Sequence, residues 1–203
     1  HRLRPAACLS TVIQRNAAPA GYGGPPMERG ADVTLVSGPV ELKDVPFVKM
    51  VHVESARQMF EAVTKEAETA DIIVKAAAVA DYRPAVVADE KIKKKDGDMS
   101  IALERTDDII GTLGKTKRDN LFLCGFSMET EHMLENSKAK LEKKNLDMII
   151  ANNVKVKGAG FGTDTNVVTL ITKDEIKELP IMSKEDVADE IFNNILANRK
   201  GIV

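Results

Sequence analysis

The stretch Ala76-Ala77-Ala78-Val79-Ala80-Asp81-Tyr82-Arg83-Pro84 runs from small residues into an acid and then a proline. Small side chains at a strand end let a ligand reach the backbone, whose N–H groups can hold a phosphate or a ribose. Asp81 could accept hydrogen bonds from a ribose or a base amino group. The same residues would equally suit close helix–sheet packing, with Asp81 capping a turn. Ten residues beyond Asp81, Lys91 leads a group of four lysines within five residues, Lys91-Ile92-Lys93-Lys94-Lys95. A lysine on a closing loop can neutralise charge that develops at a transferring phosphoryl group; a solvated basic loop is the ordinary alternative. Lys140 and Lys144 are four apart, so on a helix their ammonium groups share one face and could flank a triphosphate. Phe126 ends an apolar run and could stack on a base or belong to the core.

Other chemistry is sparse. Lys157-Gly158-Ala159-Gly160-Phe161-Gly162-Thr163-Asp164 contains Gly-x-Gly-x-Gly, but it lies between two apolar strand-like runs. A dinucleotide fingerprint needs strand, glycines, then helix, so a flap or interface loop fits better. His1, His52 and His132 do not pair with acids or cysteines at metal-ligand spacing, and no metal site is assigned. Cys124 sits inside an apolar run and reads as inert core. No Gly-x-Ser-x-Gly elbow and no Walker lysine occur.

The elements that must carry these residues follow from periodicity. The apolar content of 43% and charged content of 30% are those of an ordinary globular protein, and 203 residues suffice for one core. The net charge of -2 gives no electrostatic call for nucleic acid or an anionic membrane, so any phosphate must be held locally. No apolar run approaches the roughly 20 residues that cross a bilayer. The arginines near the N-terminus lack an apolar run to form a signal peptide. Two cysteines without framework spacing fit a reducing, cytoplasmic compartment.

Strands are expected at 31–36, 47–53, 71–78, 121–126 and 146–151, with a terminal hairpin over 167–171 and 176–181. Helices are expected from Ser55, over 107–117 and 130–144, and from Ser183 to about Asn198; Ser55 with Gln58 has the form of a capping box. Continuous apolar runs such as Ile72-Ile73-Val74 and Met148-Ile149-Ile150 indicate strands covered on both sides. The expectation is therefore an α/β, Rossmann-like domain: a mostly parallel sheet, helices on both faces, and a C-terminal hairpin or flap. Ligands of such sheets gather outside the carboxyl ends of the strands, where the loops after Ala78, Phe126 and Ala151 emerge. Residues 1–26, with four prolines and three glycines, show no sustained period and no expected element.

Together, AAAVADYRP, EKIKKK, GFSMET, KAKLEKKNLDMIIANN and GAGFGTDTN resemble phosphopantothenoylcysteine synthetase over residues 27 to about 198. That family is usually the C-terminal half of a bacterial two-enzyme coenzyme A biosynthesis protein. The resemblance implies a CTP-dependent phosphopantothenate–cysteine ligase. The phosphopantothenate carboxylate would attack the CTP α-phosphate to give an acyl-cytidylate, which the cysteine amine then opens. It implies Lys91 as the catalytic lysine. Nucleotide contacts would come from Ala76, Ala77, Ala78 and Asp81, from Thr106, Asp107, Asp108 and Ile109, and from Phe126 near the base. Lys140 and Lys144 would hold phosphates, Asn152 would lie in the substrate region, and Mg²⁺ would arrive on the nucleotide phosphates. A homodimer through the region after Asn152, and a fused or paired flavin-dependent decarboxylase, are further implied partners.

The chain departs from the pattern in places. Thr106-Asp107-Asp108-Ile109 stands where the family has Asn-Pro-Asp-Ile, and Ala151-Asn152-Asn153 where it has Ala-Asn-Asp. The family's Gly-rich first strand and turn, and the Asn-x-Ser-Ser-Gly-Lys-Met-Gly segment after it, have no counterpart in residues 1–26. Those residues are therefore expected to be foreign to a domain spanning 27–203. A non-catalytic, nucleotide-binding remnant of the same domain is the alternative function. A nicotinamide oxidoreductase would need a Gly-rich turn between first strand and helix, and none is present.

Overall fold

The computed structural model describes residues 9–14, 30–40, 43–87, 90, 99–129, 132–153 and 165–199. Lys91 and the glycine-rich stretch 157–164 lie outside them. Among the described residues the main sheet has eight strands: β1 (Leu9–Gln14), β2 (Asp32–Ser37), β3 (Lys49–His52), β4 (Ile72–Lys75), β7 (Phe122–Glu129), β8 (Met148–Asn153), β10 (Val168–Thr172) and β11 (Ile176–Glu178). Their spatial order is β11-β10-β8-β7-β4-β1-β2-β3. Two antiparallel ribbons stand apart from it: β5 (Tyr82–Pro84) with β6 (Leu103–Arg105), and β9 (Thr165–Asn166) with β12 (Met182–Ser183).

The sheet is mixed, which corrects the expectation of a mostly parallel one. Pairs β2–β3, β4–β7 and β7–β8 are parallel, whereas β1 is antiparallel to both neighbours and β10 to both of its own. The expected hairpin accounts for one end, since two runs joined by a short turn must pair antiparallel. The other source is Leu9–Gln14, in a segment for which no element was expected. Thr11-Val12-Ile13 is β-branched, but a run this short gives no legible period beside so many prolines and glycines. Tertiary context decides it: the edges of β2 and β4 otherwise face each other with unpaired backbone groups, and Leu9–Gln14 bonds to both.

Alternation along the central strands separates two cores. Ile73, Leu123 and Ile149 face one side with Met59 and Val63 of α1 (Ala56–Ala67). Ile109, Ile110 and Leu113 of α2 (Ile109–Lys115), and Leu141 of α3 (Met133–Lys143), join the same cluster. Ile72, Cys124, Met148 and Ile150 face the other side, against Val187, Ile191 and Ile195 of α4 (Lys184–Asn198). Among the described residues, three helices thus cover one face and one covers the other. Shortening any of these buried aliphatic side chains to alanine would cost about 2–5 kcal/mol.

The helix starts are encoded locally. Ser55 accepts from the Gln58 N–H at 3.2 Å while the Gln58 side chain accepts from the Ser55 N–H at 3.0 Å, the capping box read from sequence. Ser183 caps α4 through Asp186 N–H at 3.0 Å. At the far end of α4, Arg199 pairs with Asp71 at 3.0 Å, tying the C-terminal helix to the start of β4.

Candidate functional site

A cavity of about 360 Å³ opens beyond the carboxyl end of β4. Its walls come from three places: the loop carrying Val79 and Asp81, the segment Thr106–Ile110 entering α2, and Lys144 at the end of α3. The carboxyl end of a central strand is where open α/β sheets hold ligands.

Thr106 fixes the first wall to the second. Its N–H donates to the Asp81 carbonyl at 3.0 Å, and its hydroxyl donates to the Ala80 carbonyl. The β5–β6 ribbon continues that junction, with Tyr82 opposite Arg105 and the guanidinium 5.7 Å from the ring centroid. Asp81 itself is exposed at the cavity mouth.

Asp108 organises the third wall. It is the N-cap of α2, accepting from Gly111 N–H at 3.0 Å, and it also accepts from the Lys144 ammonium at 3.1 Å. Burial pushes its carboxyl up, but the Gly111 hydrogen bond, Lys144 and the charge of Lys75 outweigh that and hold it below its ordinary value.

Lys144 is delivered by the way α3 ends. Asn145 adopts φ 50°, in the left-handed region that asparagine tolerates. Leu146 N–H reaches back to the Leu141 carbonyl at 2.9 Å, and Asn145 N–H to Glu142 at 3.1 Å, the double bond of a Schellman turn. The Asn145 carboxamide then donates to the Gly114 carbonyl of α2 at 3.0 Å. Gly114 makes this approach possible: a Cβ there would lie 1.8 Å from the Lys144 carbonyl oxygen. Helix α2 and the α3 terminus are thus locked backbone to backbone, with Asp108 and Lys144 meeting above the contact.

The structure brings together Asp81, Thr106, Asp107, Asp108, Ile109 and Lys144 of the residues expected from sequence. The alanines lie beside this group. Ala77 is buried in the core under α1–α3, while Ala78 lines a smaller neighbouring cavity of about 140 Å³ that shares Val79; Ala76 is exposed. Lys140 is exposed on α3 and does not line the cavity, although its carbonyl accepts from Lys144 N–H. Phe126 does not line it either. Gly125 contacts Ile110 of α2, so the next residue along β7 points to the face of α4, where Phe126 is 38% exposed. Asn152, next to last in β8, is half-buried, with its carboxamide oxygen unpartnered.

Two charged residues of the cavity were not read from the sequence. Lys75 ends the apolar strand β4, and Arg105 ends β6. A charge closing a buried strand on its ligand-facing edge was the available signal for Lys75. Cys124 is fully buried and its thiol is pushed up by burial and by Asp147, in keeping with an inert core residue. Among the described residues no group of three or more His, Cys, Asp or Glu could hold a metal, and no helix is long and apolar enough to cross a membrane.

A family model described as "DNA/pantothenate metabolism flavoprotein C-terminal domain" matches residues 25–198. The coenzyme A biosynthesis bifunctional protein CoaBC of Bacillus subtilis is 49% identical over 177 residues, covering 86% of this chain and 43% of that protein. A cysteine/cysteine sulfinic acid decarboxylase from an unknown prokaryotic organism is 44% identical over 169 residues, covering 82% of this chain and 47% of that protein. A crystal structure of the C-terminal domain of a CoaBC bifunctional protein superposes with a TM-score of 0.67 at 46% identity, covering 81% of this chain and 74% of that one. The chain therefore spans less than half the length of the two curated relatives.

Proposed function

Because the chain belongs to the DNA/pantothenate metabolism flavoprotein C-terminal domain family, we propose that it is a phosphopantothenate–cysteine ligase domain of coenzyme A biosynthesis, driven by CTP. The observation that carries this reading is the cavity joining Asp81, Thr106–Ile109 and Lys144 at the carboxyl end of β4.

In this reading Asp81 takes the ribose or the base amino group at the cavity mouth, and Lys144 meets the phosphates. Lys91, ten residues beyond Asp81 in the chain, supplies the positive charge as the α-phosphate is attacked. A carboxylate oxygen of phosphopantothenate forms a bond to that phosphorus and pyrophosphate leaves. The cysteine amine then attacks the acyl carbon, the C–O bond breaks, and CMP departs with that oxygen. A metal carried by the nucleotide is supported by the donor set: the cavity offers carboxylates at Asp81, Asp107 and Asp108, the last paired with Lys144, and among the described residues no group of three or more His, Cys, Asp or Glu could hold a metal. Mg²⁺ bound this way would neutralise phosphate charge. A homodimer through the segment after Asn152, and a paired flavin-dependent decarboxylase, complete the proposed assembly. The name of the Bacillus subtilis relative, a bifunctional protein, supports the latter.

One observation favours a second reading, a nucleotide-binding domain without turnover. Strand β1 is antiparallel to β4, pairing Ser10 with Lys75 and Ile13 with Ile72. Its carboxyl end therefore lies at the end of the sheet away from the cavity, unlike those of β4 and β7. Pyrophosphate release separates the two. The ligase releases it with CTP and phosphopantothenate and makes the amide when cysteine is added; the binding domain takes up CTP and releases none. Lys91→Gln should abolish release, and unchanged release would remove Lys91 from the chemistry.

A further inference from the structure

We infer that Lys75 is a second phosphate-binding residue of the cavity, forming with Lys144 a two-ammonium seat for the polyphosphate of an anionic ligand. This rests on the nucleotide reading of the cavity and deepens it.

Lys75 is the last residue of β4, after Ile72 and Ile73, which are both fully buried. By alternation it lies on the same face as Ile73, beneath α1–α3. Its partner across the parallel pair with β7 is Gly125, which has no side chain to cover it. The side chain is half-buried and its ammonium donates to the Ala77 carbonyl two residues on. That hydrogen bond draws the charge along the strand toward its carboxyl end, and Lys75 lines the cavity together with Val79, Asp108 and Lys144.

The charges around it have an order. Asp108 is fixed from below by the Gly111 N–H and bonded by Lys144 at 3.1 Å. The charge of Lys75 is close enough to contribute to holding the same carboxylate ionised. Lys144 thus bonds Asp108 directly, and Lys75 acts on the same carboxylate through its charge. Of the other charged residues of the lining, Asp107 adjoins Asp108 on the same segment, Asp81 follows β4, and Arg105 closes the ribbon. A polyphosphate entering the cavity gains a charge-assisted hydrogen bond from each lysine. The sugar and base of the same ligand would then point toward Asp81.

Calorimetric titration of the full chain with CTP, with cytidine and with inorganic pyrophosphate tests this, using wild type, Lys75→Met and Lys75→Arg. Methionine keeps the stem and removes the charge. The proposal expects Lys75→Met to weaken CTP and pyrophosphate about tenfold, the size of one charge-assisted hydrogen bond. It expects cytidine binding and the thermal unfolding midpoint to stay as in wild type, and Lys75→Arg to recover most of the loss. Unchanged CTP and pyrophosphate affinity in Lys75→Met would overturn it, as would an equal loss for cytidine, which would mark a structural role. If wild type binds pyrophosphate in a Lys75-dependent way but discriminates neither CTP nor cytidine, the nucleotide reading fails and the seat stands. If wild type binds none of the three, both fail.

Discussion

Replacing Gly114 by alanine sets two opposite effects against each other. Helix propensity alone favours alanine by about 1 kcal/mol. The space does not: the new Cβ would lie 1.8 Å from the Lys144 carbonyl oxygen and 2.8 Å from its carbon, against an ordinary contact of 3.4 Å or more. The obstacle is backbone, pinned by the Schellman turn at Asn145 and by the Asn145–Gly114 hydrogen bond of 3.0 Å, so it cannot swing aside as a side chain would. Either α2 or the α3 terminus must retreat by about 1.6 Å, the shortfall between these two distances. Overpacking of this kind costs about 1–3 kcal/mol, here at the upper end because rigid elements must part. Net destabilisation of about 2 kcal/mol is expected after the propensity gain is subtracted. The same retreat separates Asp108 from Lys144, so CTP affinity should fall together with stability. Urea unfolding followed by circular dichroism, with CTP titration of the still-folded variant, measures both. A Gly114→Ala protein as stable as wild type or more so, with undiminished CTP binding, would refute the claim that this contact positions Lys144.

Three further outcomes follow from the geometry. Asp108 has a lowered folded-state pKa, so its contribution is present above the unfolded value, about 4, and is lost as pH falls through the folded value. The stability gap between wild type and Asp108→Asn should be widest near neutral pH and close under acid; urea titrations at about pH 6 and about pH 3 would expose a gap that fails to narrow. Arg199→Met leaves Asp71, with 12% side-chain exposure, without its cation, and should destabilise by about 3 kcal/mol; a thermal midpoint within a degree of wild type would count against the pairing. Val12→Pro deletes a backbone donor in a strand bonded on both edges and should cost about 3 kcal/mol or more. A neutral outcome there would mean that Leu9–Gln14 contributes nothing to the sheet.

Much of the interior was legible because its signals are local. Ser55 with Gln58 and Ser183 with Asp186 mark helix starts through bonds three residues long, and Ile72-Ile73 and Met148-Ile149-Ile150 are buried on both faces as their unbroken apolarity requires. Direction is not a local property, so the sheet's mixed character escaped. Nothing in Thr11-Val12-Ile13 says which way the strand enters the gap between β2 and β4. The site divides in the same way. Asp81, Thr106–Ile109 and Lys144 were legible as chemistry-bearing types near loop positions. Lys75 was not, because an apolar run closed by one lysine looks the same whether that lysine points at a ligand or at solvent. Phe126 and Lys140 show the converse: residue type suited the chemistry, but strand alternation turns Phe126 away, and Lys140 sits one turn back along α3 from Lys144, outside the cavity lining.

The ligase account makes one demand on the atoms that no simple hydrolase or binding protein shares: a carboxylate oxygen must end on the nucleotide. Phosphopantothenate labelled with ¹⁸O in its carboxylate, incubated with CTP, cysteine, Mg²⁺ and this chain, should yield CMP carrying one ¹⁸O, read by mass spectrometry, along with the cysteine amide. Amide formed with unlabelled CMP, or CTP consumed with no amide at all, would contradict the acyl-cytidylate and with it the proposed function.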